Sequence, residues 1–355
     1  MKIYHKQKYN WFFVLLIAFT SCKEKIIEEN QEIIVPGQRD YVWKIDTLQL
    51  DPFEWLGPLW GSSPNDVWAT GTAGMWHYNG QSWKSVGHFS GLNWSNIFGF
   101  SSTNIWATTS VAGRIYHYDG NNWNMVGEYK YPGYSLTYIE GIWGDSPNNI
   151  YAVGAVGNPN ISPKGVILHF NGTKWDWVNI PNIEAGFFKI VKDSKGSGKY
   201  YLYGENVLFD TTTNPVTIVG FVEKLFEYDG QTNIKEIFSS STETRWAFEI
   251  GGKVYFSSSG KTTIWKYRNG TFEVWKDFSN TNYSIGSLIG RSEADLFCYS
   301  SYNRNYNKSI LTHYNGTDLE PLFEADNFYG LKIVGSDVFV VVEGSVRGIA
   351  RGTPK

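Results

Sequence analysis

The chain has 355 residues, of which 16 Trp, 23 Tyr and 22 Phe make it 17% aromatic against 18% charged. That excludes a disordered chain, and 37 Gly beside only 12 Pro exclude a collagen-like or proline-rich one. A formal net charge of −3 argues against a nucleic-acid partner, which would call for a basic stripe, and two cysteines cannot build a disulfide framework.

At the amino terminus Lys2, Lys6 and Lys8 precede an apolar run from Trp11 to Phe19, followed by Thr20, Ser21 and Cys22. A basic head, a short apolar run and small residues are the plan of a secretory signal, and the run is about half the ~20 residues a membrane-spanning helix needs. The ending Phe19-Thr20-Ser21-Cys22 resembles a bacterial lipoprotein signal. The resemblance implies that residues 1–21 are removed and that Cys22 carries the lipid. With Lys23 rather than Asp next, it also implies sorting to the outer membrane of a Gram-negative-type bacterium. Residues 22–40, with Glu24, Lys25, Glu28, Glu29 and Glu32, read as a solvated tether ahead of a domain over 41–355.

From Trp60 the chain reads W-G-S-S-P-N-D-V-W-A-T-G, then G-M-W-H-Y-N-G-Q-S-W-K-S-V to Val86; the pattern returns from Phe98 to Val126 and from Ile142 to Val178. Weaker copies end at Tyr228-Asp229-Gly230, Arg268-Asn269-Gly270 and Tyr314-Asn315-Gly316. The marker glycines Gly80, Gly120, Gly172, Gly230, Gly270 and Gly316 are 40, 52, 58, 40 and 46 residues apart, a period of stacked supersecondary units. Each Asn-Gly or Asp-Gly stands between short runs of Val, Ile, Tyr and Trp, which predicts a hairpin with a type I′ turn, both central residues at positive φ.

Within one repeat four strands are predicted, Leu56 to Trp60, Val67 to Thr70, Met75 to Tyr78 and Trp83 to Val86, which together make a β-propeller blade. Asp66, Asn104, Asn149, Asp295 and Asp337 recur just before the second strand, where a short side chain can close a turn. The tail offers three strands, Phe328 to Gly335, Asp337 to Val342 and Val346 to Arg351, and lacks the fourth. Tyr41 to Ile45 matches an outer strand and is expected to complete that last blade. The expected fold is therefore all-β: a seven-bladed propeller of four-stranded antiparallel blades, closed by its N-terminal strand.

The motifs W-G-x-S-x-x-D-V-W-A and H-Y-[DN]-G-x-x-W resemble the propeller repeats of secreted bacterial proteins and are distantly similar to the sialidase-type repeat superfamily, over about residues 41 to 352. The resemblance implies a fold and no activity, because propellers host unrelated functions.

Candidate chemistry is sparse. His77, His117, His169 and His313 share one repeat position, but equivalent positions in different blades lie too far apart to meet at one metal ion, so no metal and no cofactor is expected. Cys298 aligns with Ala69, Ala107 and Ala152 and reads as an inert core residue. A sialidase would show Asp boxes and a converging arginine cluster; Ser259 to Trp265 lacks the Asp, and Arg245 and Arg291 are expected at opposite ends of the channel. A glycosidase carboxylate pair stays open.

Relative to blade one, blade three adds Val156 to Lys164, blade four much of Glu205 to Gly220, and blade six Tyr299 to Ser309. All fall between second and third strands, on the side of the links between blades. With Tyr129, Tyr131, Tyr134, Tyr283, Tyr299, Tyr302, Arg304 and Tyr306 that side would present a ligand-binding face, with Tyr131, Tyr134, Tyr302 and Tyr306 largely exposed. The function expected is a monomeric, lipid-anchored lipoprotein that binds a glycan or protein partner without catalysis, with a glycan-active enzyme as the alternative.

Overall fold

A computed structural model describes residues 35–88, 93–300 and 308–355. Among them 28 strands divide into antiparallel sets of four. Blade one is Leu56–Ser63, Asp66–Gly71, Gly74–Tyr78 and Trp83–His88, each paired to the next. The innermost strands of the following sets are Trp94–Ser101, Leu136–Ser146, Gly186–Lys192, Trp246–Ile250, Ser287–Ser292 and Asn327–Val334. Each touches the next and the last touches the first, so the seven sets close into a ring, with blades five and six bridged by one parallel pair, Ile250 to Gly290.

The strands form because apolar residues recur two apart, and the ring forms because no blade has a core of its own. Seven buried clusters each lie between neighbours: Trp60, Trp68, Trp94 and Ile97 join blades one and two, and Leu59, Val67, Phe339 and Ile349 join blades one and seven. Register repeats with the sequence. Leu59, Ile97, Ile142 and Leu288 of the innermost strands face Ala69, Ala107, Ala152 and Cys298. Cys298 fills that small core position fully buried, and burial pushes its thiol up to about 12, well above the range of a reactive thiolate.

The closing strand, Tyr41–Thr47, pairs with Gly348–Pro354 in blade seven, Trp43 opposite Gly352 and Ile45 opposite Ala350. The Trp43 ring stacks on Phe323 at 4.8 Å and covers Gly352, where a Cβ would sit 2.7 Å from it. Upstream, Arg39 pairs with Asp318 and with Glu320 at 3.0 Å, tying the approach to this strand against blade six.

Two local expectations are corrected. Of the six marker hairpins only Asn269–Gly270 has both residues at positive φ, as type I′ demands; in the other five the Gly alone is there. Those five are closed instead by the Asx carboxyl or amide oxygen, as where Asn79 Oδ1 accepts from the backbone N–H of Gln81 and Ser82 at 3.1 and 3.0 Å. The added residues of blade four are mostly strand, whereas those of blade three are mostly a loop between Gly157 and Lys164. In blade four Tyr200–Asp210 pairs with Thr217–Tyr228 as a long ribbon, and the innermost strand pairs with it no further than Gly186 opposite Glu205.

Candidate functional site

The shared histidines are structural locks. His77, His117, His169 and His313 donate from Nε2 to Asp66, Asn104, Asn149 and Asp295 at 2.7, 3.0, 2.7 and 2.8 Å. Each ring also packs on the aromatic residue two positions past its partner: Trp68, Trp106, Tyr151 and Phe297. The recurring Asx residues therefore do more than close a turn, since they hold the second and third strands together. In blade seven Arg351 replaces the histidine and reaches Asp337 at 2.6 Å. Burial alone would raise the Asp295 carboxyl, but hydrogen bonds from His313 and Arg291 outweigh it and hold it below the usual range.

The sequence-predicted tyrosines have mixed placements. Tyr129, Tyr131, Tyr134 and Tyr283 are half-buried, so Tyr131 and Tyr134 are not largely exposed as expected. Tyr131 packs edge-on against Trp177 at 5.1 Å with Lys164 over its ring at 4.7 Å, which staples the link between blades two and three to blade three. Tyr129 and Tyr283 pack against core clusters. Tyr299 is buried beside Phe328 between blades six and seven, so it is a core residue. Tyr302, Arg304 and Tyr306 lie outside the described residues, as does Cys22. Arg245 is sandwiched 4.5–4.7 Å from the rings of Phe238, Trp265 and Phe272, outside the channel lining, whereas Arg291 lines one end of the channel and is held by Asp295 and the carbonyls of Gly335 and Ser336.

The link face presents a different set of aromatics, which sequence reasoning missed. The link from the closing strand to blade one is pinned by Glu54, buried, whose carboxylate accepts from Trp76 Nε1 at 3.1 Å and from the Asp51 N–H at 3.2 Å. Arg347 donates to the carbonyls of Asp51 and Glu54, and Thr72 is bonded to Trp55 N–H and Phe53 carbonyl. So anchored, the link holds Phe53 and Trp55 outward, 88% and 54% exposed. Trp55 meets Tyr329 edge-to-face at 5.6 Å, and Tyr329 is itself 48% exposed.

Tyr329 reaches that position through a bulge. Five innermost strands break register near their first residues, at Gly57-Pro58, Ser95, Glu140, Phe188 and Tyr329-Gly330. A bulge re-aims its extra side chain. Pro58, Phe188 and Tyr329 line the central channel, a cavity of about 660 Å³ walled by all seven innermost strands. Glu140 has no charged or hydrogen-bonding partner for its carboxylate among the described residues, and burial pushes it up to about 7. The signal for these bulges was a broken alternation, as in Gly186-Phe187-Phe188-Lys189 and Phe328-Tyr329-Gly330.

Comparison with known proteins defines the class and goes no further. No protein-family model and no curated protein matches the chain. Among solved structures, YCF48 bound to D1 peptide aligns at 13% identity and a TM-score of 0.60 over 90% of this chain and 99% of that one. Virginiamycin B lyase from Staphylococcus aureus aligns at 14% and 0.58, covering 89% and 100%. A puromycin-hydrolyzing peptidase of Mycobacterium tuberculosis aligns at 10% and 0.58, covering 89% of this chain and 54% of that one. The chain is a β-propeller protein.

Proposed function

We propose that this propeller is a lipid-anchored binding protein of a bacterial outer membrane, which holds a glycan or protein partner on its link face. The carrying observation is the ridge Phe53, Trp55 and Tyr329: three large aromatic surfaces left in water, Phe53 and Trp55 on a link that Glu54, Arg347 and Thr72 pin and Tyr329 on the innermost strand of blade seven beside them. Exposed aromatics contribute nothing to a core, and rigid ones bind at low entropic cost. On the same face the blade-four ribbon exposes Leu208, Ile218, Val219 and Phe221. A propeller of like fold has been described bound to a peptide, which supports a partner of that kind without choosing it. Anchoring rests on the Cys22 signal: Cys22→Ser should release the protein from membranes, and unchanged fractionation would refute the anchor. A glycan array together with pull-down from the source cell tests the ligand, and Phe53→Ala/Trp55→Ala should lose whatever the wild type captures.

A second reading, glycoside cleavage, draws on Glu140. A carboxyl titrating near 7 suits a general acid at neutral pH. Hydrolysis of array glycans that disappears in Glu140→Gln would favour it over binding alone.

A further inference from the structure

The central channel holds two lysines that have no ion-paired acid among the described residues. Lys189 stands on the innermost strand of blade four and Lys332 on that of blade seven, and both line the cavity of about 660 Å³. The Lys189 ammonium lies 4.0 Å from the centre of the Phe248 ring, and among the described residues neither lysine has a hydrogen-bonded or ion-paired acid. Ion pairs are common elsewhere in this chain, with Lys192, Lys224 and Lys266 within 3.0 Å of a carboxylate, so two unpaired lysines in one interior cavity call for an explanation.

Charge balance inside the channel leaves them free for a ligand. Arg291, at the far end, is already satisfied by Asp295 and two carbonyls. Glu249 lines the cavity and favours the charge of Lys332, but one of its oxygens accepts from the Gly252 N–H at 2.7 Å. Burial, reinforced by Lys332, lowers Lys189 to about 8, the mark of an ammonium that lacks a counter-charge. Around the lysines the walls are aromatic: Phe188 and Tyr329 toward the mouth, Phe248 beneath Lys189.

We propose that the channel is a binding site for a small organic carboxylate with a planar apolar body, its carboxylate held between Lys189 and Lys332 and its body against Phe188, Tyr329 and Phe248. The volume suits such a ligand, since small-molecule cavities run from about 300 to 1,000 Å³. The site rests on the link-face reading only for the mouth by which the ligand enters. No bond is made or broken. Because the carboxylate restores a counter-charge, the pKa of Lys189 rises on binding, so affinity is full below about pH 8 and falls as pH rises above it.

Calorimetric titration of the full chain with 1-naphthoate tests this. Saturable binding is expected, with the neutral isostere 1-naphthalenemethanol at least about tenfold weaker, the difference a charge-assisted contact supplies. Lys189→Met and Lys332→Met should each weaken naphthoate about tenfold while keeping or raising the melting temperature; Lys189→Gln serves as a second variant should the methionine perturb packing. Exposed Lys174→Ala should change nothing. Equal affinity for the neutral isostere, naphthoate binding unchanged in both lysine variants, or inorganic phosphate binding more tightly than naphthoate would each overturn the assignment. Phe53→Ala/Trp55→Ala separates the two readings. If naphthoate fails while link-face capture still depends on those aromatics, the proposed function stands without the channel site.

Discussion

Replacing Trp43 by alanine probes how the ring is closed. The indole is half-buried, stacks on Phe323 at 4.8 Å with planes 15° apart, and lies over Gly352. Full burial of a Trp is worth about 3–5 kcal/mol on truncation, so half that area gives roughly 2 kcal/mol. The lost stacking adds about 0.5–1 kcal/mol. The expected loss is therefore about 2–3 kcal/mol, read as a shift of the urea midpoint at unchanged slope. Lys44→Ala on the same strand is the control, because Lys44 is exposed and its solvent-screened pair with Asp46 contributes little. If Trp43→Ala costs no more than Lys44→Ala, the N-terminal strand does not hold the ring, and the closure described for blade seven is wrong as an energetic statement.

Asp295→Asn should cost about 2–3 kcal/mol at neutral pH, since buried His313 and Arg291 lose their charged partner. The Asp295 carboxyl is depressed in the fold, so its contribution is present above about 3.8 and lost as pH falls through the folded value; the variant's acid-denaturation limb should be correspondingly flatter. Glu140→Gln has the opposite sign: the folded carboxyl is raised from 4.5 to about 7, so the wild type loses stability as pH rises across that window and the variant does not. Melting at pH 8 should show the variant more stable by about 1–2 kcal/mol, allowing for partial solvent contact; a variant that melts lower would contradict the burial argument. Tyr131→Ala should lower stability by about 1–2 kcal/mol through loss of its contacts with Trp177 and Lys164, a result that calorimetry separates from any effect on binding.

The architecture was legible because repetition multiplies a weak signal. One hairpin of Tyr, Trp and Val is ambiguous, whereas His77, His117 and His169 at one repeat position fix the strand order, and Ala69, Ala107 and Ala152 locate Cys298 in the core. Turn type was harder to read, since Asn-Gly serves a type I′ turn and an Asx-closed loop equally, and the choice depends on loop length; Arg268 pairs with Thr271 across two residues only at Asn269–Gly270. The site was least legible. Tyr131 and Tyr299 read as surface because tyrosine tolerates either place, and tertiary packing against Trp177 and Phe328 decided it. Phe188 and Tyr329 were not singled out in the sequence, because a bulge, a property of strand pairing, turns them into the channel.

The central claim is that partners are held on the link face. The direct measurement compares capture by the wild type, by Phe53→Ala/Trp55→Ala on the link face, and by Gln81→Ala/Lys174→Ala on the hairpin face, using one ligand recovered from the array or pull-down. All four positions are exposed, so the three proteins should melt within about 0.5 kcal/mol of one another. Removal of the aromatics should weaken binding by about 2 kcal/mol or more, roughly thirtyfold, while the hairpin-face variant binds as the wild type does. Binding that survives without Phe53 and Trp55 and is lost with Gln81 and Lys174 would contradict the account.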